Sequence, residues 1–265
     1  MLTSPTTQPE TAERGWLATC VLRLSLAVTF LTRLPLPITA EVTPVDLQAS
    51  MGWYPLVGLV LGAVGAGLFA VGRLLFPAPV VAALVIILLE AFTGALHLDG
   101  FMDTCDGLGS GKPRERALEI MKDSRVGAMG VFGAVAVIVL KVAALATFAT
   151  PQAALVLCIG WPAARALPIW NVSLFPYARA AGTGGAFTEG KSQWALIFAT
   201  LSAVIIAVFF GGVHGLLLLL LAILLTLLIQ ANIALKLHGL TGDVYGMGIE
   251  MVETLVLLLG TALIR

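Results

Sequence analysis

HLDGFMDTCDG, residues 97–107, sets Asp99, Asp103 and Asp106 within eight positions, directly behind an apolar run. At 100° per residue the i, i+4, i+7 spacing brings the three acids within roughly 60° of one another on a helix. Like charges on one stripe repel, so the pattern calls for a cation. Carboxylate oxygens suit a hard ion such as Mg²⁺ or Mn²⁺, which takes one or two carboxylates together with waters and substrate phosphates. Gly100 and Gly107 let a backbone or ligand come close. The competing reading is a solvated helix start, with acids at its positive end.

The acids stand out because charge is scarce: of 265 residues 59% are hydrophobic and 11% charged. A mean hydropathy of +1.00 excludes an ordinary soluble domain. Basic and acidic residues balance at 15 each, which leaves no surplus for nucleic acid. Cys20, Cys105 and Cys158 are odd in number and lack metal-ligand spacing, so neither a disulfide framework nor a zinc site is expected. Residues 1–15 are polar, do not read as a cleaved signal peptide, and are expected to be a disordered lead-in; 16–265 form a single membrane-embedded catalytic domain.

Apolar runs of spanning length, about 20 residues, lie near 53–75, 79–97, 126–149, 153–172, 194–212, 214–231 and 250–264. The fold class is therefore an all-α polytopic membrane bundle of about seven spanning helices. The segment 16–35 carries Arg23 and Arg33 and either spans or lies at the interface. Short connections alternate with the long polar stretches 98–125, 173–193 and 232–249, which places the long ones on one face. That face holds Lys112, Arg114, Arg116, Lys122, Arg125, Arg179, Lys191 and Lys236, against Arg73 and Arg265 opposite, so it is read as cytoplasmic.

Other polar islands repeat the chemistry. In DSR, residues 123–125, Arg125 either forks onto phosphate oxygens or pairs with Asp123. LTGDVYGMGIEMVE, residues 240–253, carries Asp243 and Glu250 at i, i+7 and Glu253 a turn further on, although its glycines argue against one continuous helix. These acids need a metal, Arg165 or a buried proton as partner. Arg165 lies in WPAARALPIW, where Pro162 and Pro168 can break a helix and free carbonyls. Arg179 precedes a glycine-rich loop, and His97 and His238 each adjoin a cluster where they either move a proton or are structural. Walker A, GxSxG and HExxH patterns are absent from the sequence. Acids and arginines without those signatures suit phosphoryl transfer, in which cations neutralise a diphosphate while a hydroxyl attacks.

As a set, HLDGFMDTCDG, LEIMKDSRVGAMG and TGDVYGMGIEMVE, with FLTRLPLP at 30–37, PLVGLVLG at 55–62 and PYAR at 176–179, resemble the cobalamin synthase family over nearly the whole chain. Met102 departs from the small residue usual in that family, and His238 stands where glycine is common. The resemblance implies a Mg²⁺-using enzyme of the bacterial or archaeal cytoplasmic membrane, with its active site facing the cytoplasm. It would join adenosylcobinamide-GDP to α-ribazole or its 5′-phosphate and release GMP. On that reading Asp99, Asp103 and Asp106 hold Mg²⁺, with Asp243 and Glu250 completing the site. Arg125, Arg165 and Arg179 stabilise phosphate charge, Lys191 and His238 join the substrate-binding set, and His97 or Asp123 is the base. A homo-oligomer is compatible with the sequence.

Two other classes compete. CDP-alcohol phosphotransferases and aromatic prenyltransferases also cluster aspartates at a membrane surface, but in patterns other than the DxxxDxxDG seen here. A cation transporter would set its acids nearer the membrane midplane, whereas most of these sit at one boundary.

Overall fold

Runs rich in Leu, Val, Ile and Ala fold as helices because, in hydrocarbon, a helix satisfies every backbone polar group internally. A computed structural model describes residues 14–179, 185, 187 and 192–264. Its helices are α1 (Trp16–Leu31), α2 (Pro44–Ser50), α3 (Tyr54–Gly72), α4 (Ala78–Thr93), α5 (Leu96–Gly109), α6 (Arg114–Ile120), α7 (Ala128–Ala146), α8 (Thr150–Leu174), α9 (Gln193–Leu237) and α10 (Gly242–Leu263). A 3₁₀ turn, Met51–Trp53, joins α2 to α3. The described residues form no strand beyond a single bridge between Tyr177 and Leu240.

Five helical segments are long and apolar enough to cross a membrane, and six if α4 and α5 are counted as one bent span. The 45 residues of α9 are too many for one crossing of a core about 30 Å thick. They fold at Gly212, whose φ of 54° and ψ of −134° lie outside the helical region. A Cβ on Gly215 would collide with the Ala207 carbonyl, so the two arms lie side by side. The break falls between the runs 194–212 and 214–231 that the hydropathy separates.

At the centre stands α8, buried at every residue from Val156 to Ile169. It runs helically through Pro162 and Pro168 rather than breaking there, because neighbours clamp it on several sides. Gly58 and Gly62 of α3 bring that helix so close that a Cβ on Gly58 would lie 2.6 Å from the Trp161 carbonyl. On the outside, large apolar residues such as Phe132, Phe209 and Leu235 are exposed, as lipid contact requires.

Two expectations change. The stretch 98–125 is not a loop: Gly94 and Ala95 take left-handed backbones, φ 67° and 54°, and end α4. The chain then turns 92° into α5. The glycines of 240–253 do not interrupt the helix either, since Gly246 and Gly248 are packing positions against α5, Leu167 and Gln230. The apolar segment 16–35 folds over Trp16–Leu31 as α1, a helix of 16 residues. Its Arg23 pairs with Asp46 at 3.1 Å.

Candidate active site

Two glycines build the site. A Cβ on Gly100 of α5 would lie 2.8 Å from the Asp243 carbonyl, and one on Gly246 of α10 would lie 3.2 Å from the His97 carbonyl. A side chain at Gly100 would force the two backbones apart and one at Gly246 would crowd them, and their close approach sets Asp99 and Asp103 beside Asp243. Thr241 caps α10, accepting from the Val244 N–H, and its hydroxyl reaches the Asp243 carboxylate at 3.2 Å.

Arg179 enters from the segment after α8. Backbone hydrogen bonds from Ala178 N–H to the Leu240 carbonyl (2.8 Å) and from Leu240 N–H to the Pro176 carbonyl (2.9 Å) tie that segment to the α9–α10 turn. Arg114 of α6 pins the same junction, donating to the carbonyls of Leu237 (2.7 Å) and Ala178 (2.9 Å). Sequence reasoning treats Arg114 as a topology determinant, whereas here it is a structural staple. The Arg179 guanidinium consequently pairs with Asp243 at 2.8 Å.

Asp103 feels this crowding. Burial and the neighbouring carboxylates of Asp99, Asp243 and Asp106 push its carboxyl up to about 7, with Arg179 opposing. Such a group is poised for a divalent cation, which would relieve the repulsion. Asp99, Asp103 and Asp243 are the residues able to hold one together with a diphosphate, and no all-protein cage is needed. Asp106 has another job: it accepts from the N–H groups of Gly127 (2.7 Å) and Gly130 (2.8 Å). It thereby caps α7, where a carboxylate complements the helix dipole. Only its remaining lone pairs could serve a metal.

Glu250 and Arg165 do not join this cluster. Seven residues along α10, about 10 Å from Asp243, Glu250 is buried and bonded to the Lys141 ammonium at 2.6 Å. Lys141 also meets Glu253 (2.5 Å) and Glu90 (3.1 Å), and Arg165 pairs with Glu253. Among the described residues, Glu90, Glu250 and Glu253 are the one group of three acids with ligand atoms within 4.8 Å of one another. Geometry alone would select them for a metal, but a buried ammonium already lies among them. Arg165 is 2% exposed, so it serves this network rather than a substrate. The sequence reading passes over Lys141, although a lone lysine inside an apolar run is a signal in itself.

Arg125 forks onto Asp123, with Nη2 to Oδ2 at 2.6 Å and Nε to Oδ1 at 3.0 Å. The Arg125 hydrogen bonds hold the Asp123 carboxyl down to about 2, which makes Asp123 a poor base. The pair is exposed, and with Asp106 and Gly127 it lines a shallow recess. His238 ends α9 with a left-handed backbone, φ 57°, and an exposed side chain. That conformation favours glycine. Lys191 lies outside the described residues.

His97 is 3% exposed, and its Nε2 has no hydrogen-bond partner. It lines, with Asp99, Asp243 and several aromatic residues, a chamber of about 140 Å³. Two carboxylates, Asp99 and Asp243, and an unpartnered imidazole thus line one cavity, with Arg179 held against Asp243.

Residues 23–261 match the family described as cobalamin-5-phosphate synthase. A Brevibacillus brevis protein named adenosylcobinamide-GDP ribazoletransferase is 39% identical over 88% of this chain and 94% of its own length. Proteins of the same name from Desulfitobacterium hafniense and a Roseiflexus species are 41% and 33% identical, over 89% and 97% of this chain and 95% of each relative. No solved structure matches the chain. The agreement along nearly its full length means that the chain belongs to the cobalamin-5-phosphate synthase family.

Proposed function

We propose that this membrane transferase joins adenosylcobinamide-GDP to α-ribazole or its 5′-phosphate and releases GMP, the last assembly of a cobalamin. The observation that carries the reading is the meeting of Asp99, Asp103, Asp243 and Arg179 through the Gly100–Gly246 contact. Mg²⁺ held by the three aspartates would neutralise diphosphate charge. Arg179, already 11% exposed against Asp243, swings its guanidinium to phosphate oxygens when substrate arrives. A ribose hydroxyl of the acceptor attacks the corrinoid-side phosphorus, and its proton passes to Nε2 of His97. The bond from that phosphorus to the bridging oxygen breaks, and GMP leaves with the electron pair.

Each arm of α9 is read as a separate crossing, and α4 as a span with α5 lying at the surface, which gives seven spans. The Lys- and Arg-rich face, with the aspartates, then faces the cytoplasm across the bacterial or archaeal inner membrane. Transfer of label from GDP-activated corrinoid into cobalamin by purified protein tests the reaction. Chelation should abolish it and Mg²⁺ should restore it, and full turnover without divalent metal would reject the metal assignment. Ion flux in vesicles without label transfer would instead favour a transporter. Cysteine labelling from the outer face at 98–125 would reject the orientation.

A further inference from the structure

Away from the aspartates, an open groove of about 850 Å³ runs between α1, the 3₁₀ turn and the start of α9. Clefts that take a small molecule span roughly 300–1,000 Å³. Three helices begin around it, each with a tryptophan: Trp16 is the first residue of α1, Trp53 precedes α3, and Trp194 is the second residue of α9. Trp16 and Trp194 are 80% exposed, and Trp53 meets Phe198 edge-on at 5.2 Å in the groove wall. Tryptophans gathered at helix starts mark the boundary between water and hydrocarbon, where the amphipathic indole sits. Among the described residues, Arg23 is the one charged side chain lining the groove. Arg14 and Arg23 share the carboxylate of Asp46, at 2.6 and 3.1 Å, so two guanidinium groups face a single acid. Arg23 gives that carboxylate only its Nε, and its two terminal amines have no partner among the described residues. A cationic fork beside a tryptophan-walled apolar groove complements a ligand that is anionic at one end and hydrocarbon beyond it.

We infer that this groove binds one acidic phospholipid of the surrounding membrane, with its headgroup phosphate on the Arg23 amines and an acyl chain along Trp53, Trp194 and Phe198. A free phosphate would leave the apolar wall unused. A zwitterionic lipid would leave the surplus charge of the Arg14, Asp46 and Arg23 set unanswered. The seated lipid braces α1 against α9. That bears on the site, because the other end of α1 supplies Phe30 and Leu31 to the wall of the chamber lined by His97 and Asp99. Ala27 and Leu31 also share one buried cluster with Ala195 and Ala199 of α9.

The test uses the full chain in detergent, freed of lipid, with phosphatidylglycerol and phosphatidylcholine of the same acyl chains as probes and native mass spectrometry as the reading. One phosphatidylglycerol should be retained per chain, about fivefold more tightly than phosphatidylcholine, the factor for one basic side chain at an acidic lipid surface. Arg23→Gln should bring the two lipids to within about twofold of each other. If Arg23→Gln fails to fold because Asp46 loses a partner, Trp194→Ala, at an exposed side chain, should weaken retention of both lipids. Cys20, half-buried on the groove wall, gives an independent reading: phosphatidylglycerol should slow its alkylation and leave that of Cys105 unchanged. Bound phosphatidylglycerol should also raise the melting temperature, and inorganic phosphate should not. Equal retention of the two lipids by wild-type protein, no slowing at Cys20, or protection by inorganic phosphate alone would overturn the inference. So would a Cys20 already unreactive in lipid-free protein, since a second copy or residues 1–13 would then cover the groove. None of these readings depends on turnover, so their failure leaves the proposed transfer reaction standing.

Discussion

Gly100→Ala is the sharpest test of how the site is assembled. The new methyl would lie 2.8 Å from the Asp243 carbonyl oxygen and 3.0 Å from its Cα, against an ordinary contact of 3.4 Å or more. Both atoms are backbone in the capped first turn of α10, so no side chain can rotate away. The two helices must part by about 0.6 Å, the shortfall on the closer atom. Overpacking of this kind costs about 1–3 kcal/mol. Misplacement of reacting groups by about 1 Å costs on the order of a hundredfold in rate, so half that displacement predicts roughly a tenfold loss. The assay is label transfer by detergent-purified protein, with the melting temperature followed by fluorescence-detected size exclusion. The control is Gly67→Ala in α3, where an added Cβ meets nothing within 4 Å and turnover and stability should hold. Wild-type turnover and an unchanged melting temperature in Gly100→Ala would refute the claim that this contact positions the aspartates.

Lys141→Met should be among the most damaging single changes. It leaves Glu90, Glu250 and Glu253 with Arg165 alone, and breaking a buried pair costs about 3–5 kcal/mol, so folded yield should collapse; a wild-type melt would show that the network carries no stability. In metal-free protein, Asp103 has a folded pKa of about 7, above its ordinary 3.8. The folded chain therefore keeps a proton that the unfolded chain releases. That stability is lost as pH rises between these values, so the melting temperature should be lower at pH 7.5 than at pH 5. Mg²⁺ should flatten the slope, and a slope unaffected by Mg²⁺ would detach the cation from Asp103. Because the Asp123–Arg125 pair is exposed, Arg125→Lys should leave the melting temperature nearly unchanged. A fall in turnover with that lysine would assign the planar fork to phosphate, and unchanged turnover would assign it to ion pairing alone.

Hydropathy and residue spacing alone determined the membrane class, the helical register of Asp99, Asp103 and Asp106, and the break within α9. These follow from local rules: apolar run length, 100° per residue, and the scarcity of charge in a lipid-facing chain. Only the tertiary structure decided which polar residues share a site. Asp243 and Glu250 align on one face of α10, yet their separation along the axis sends one to Arg179 and the other to Lys141. The glycines of 240–253 read as a loop, because conformational freedom and close approach leave the same mark on a sequence. Which of the two a glycine serves depends on what stands opposite its missing Cβ. For Gly246 that is the backbone of His97, well over a hundred residues earlier in the chain.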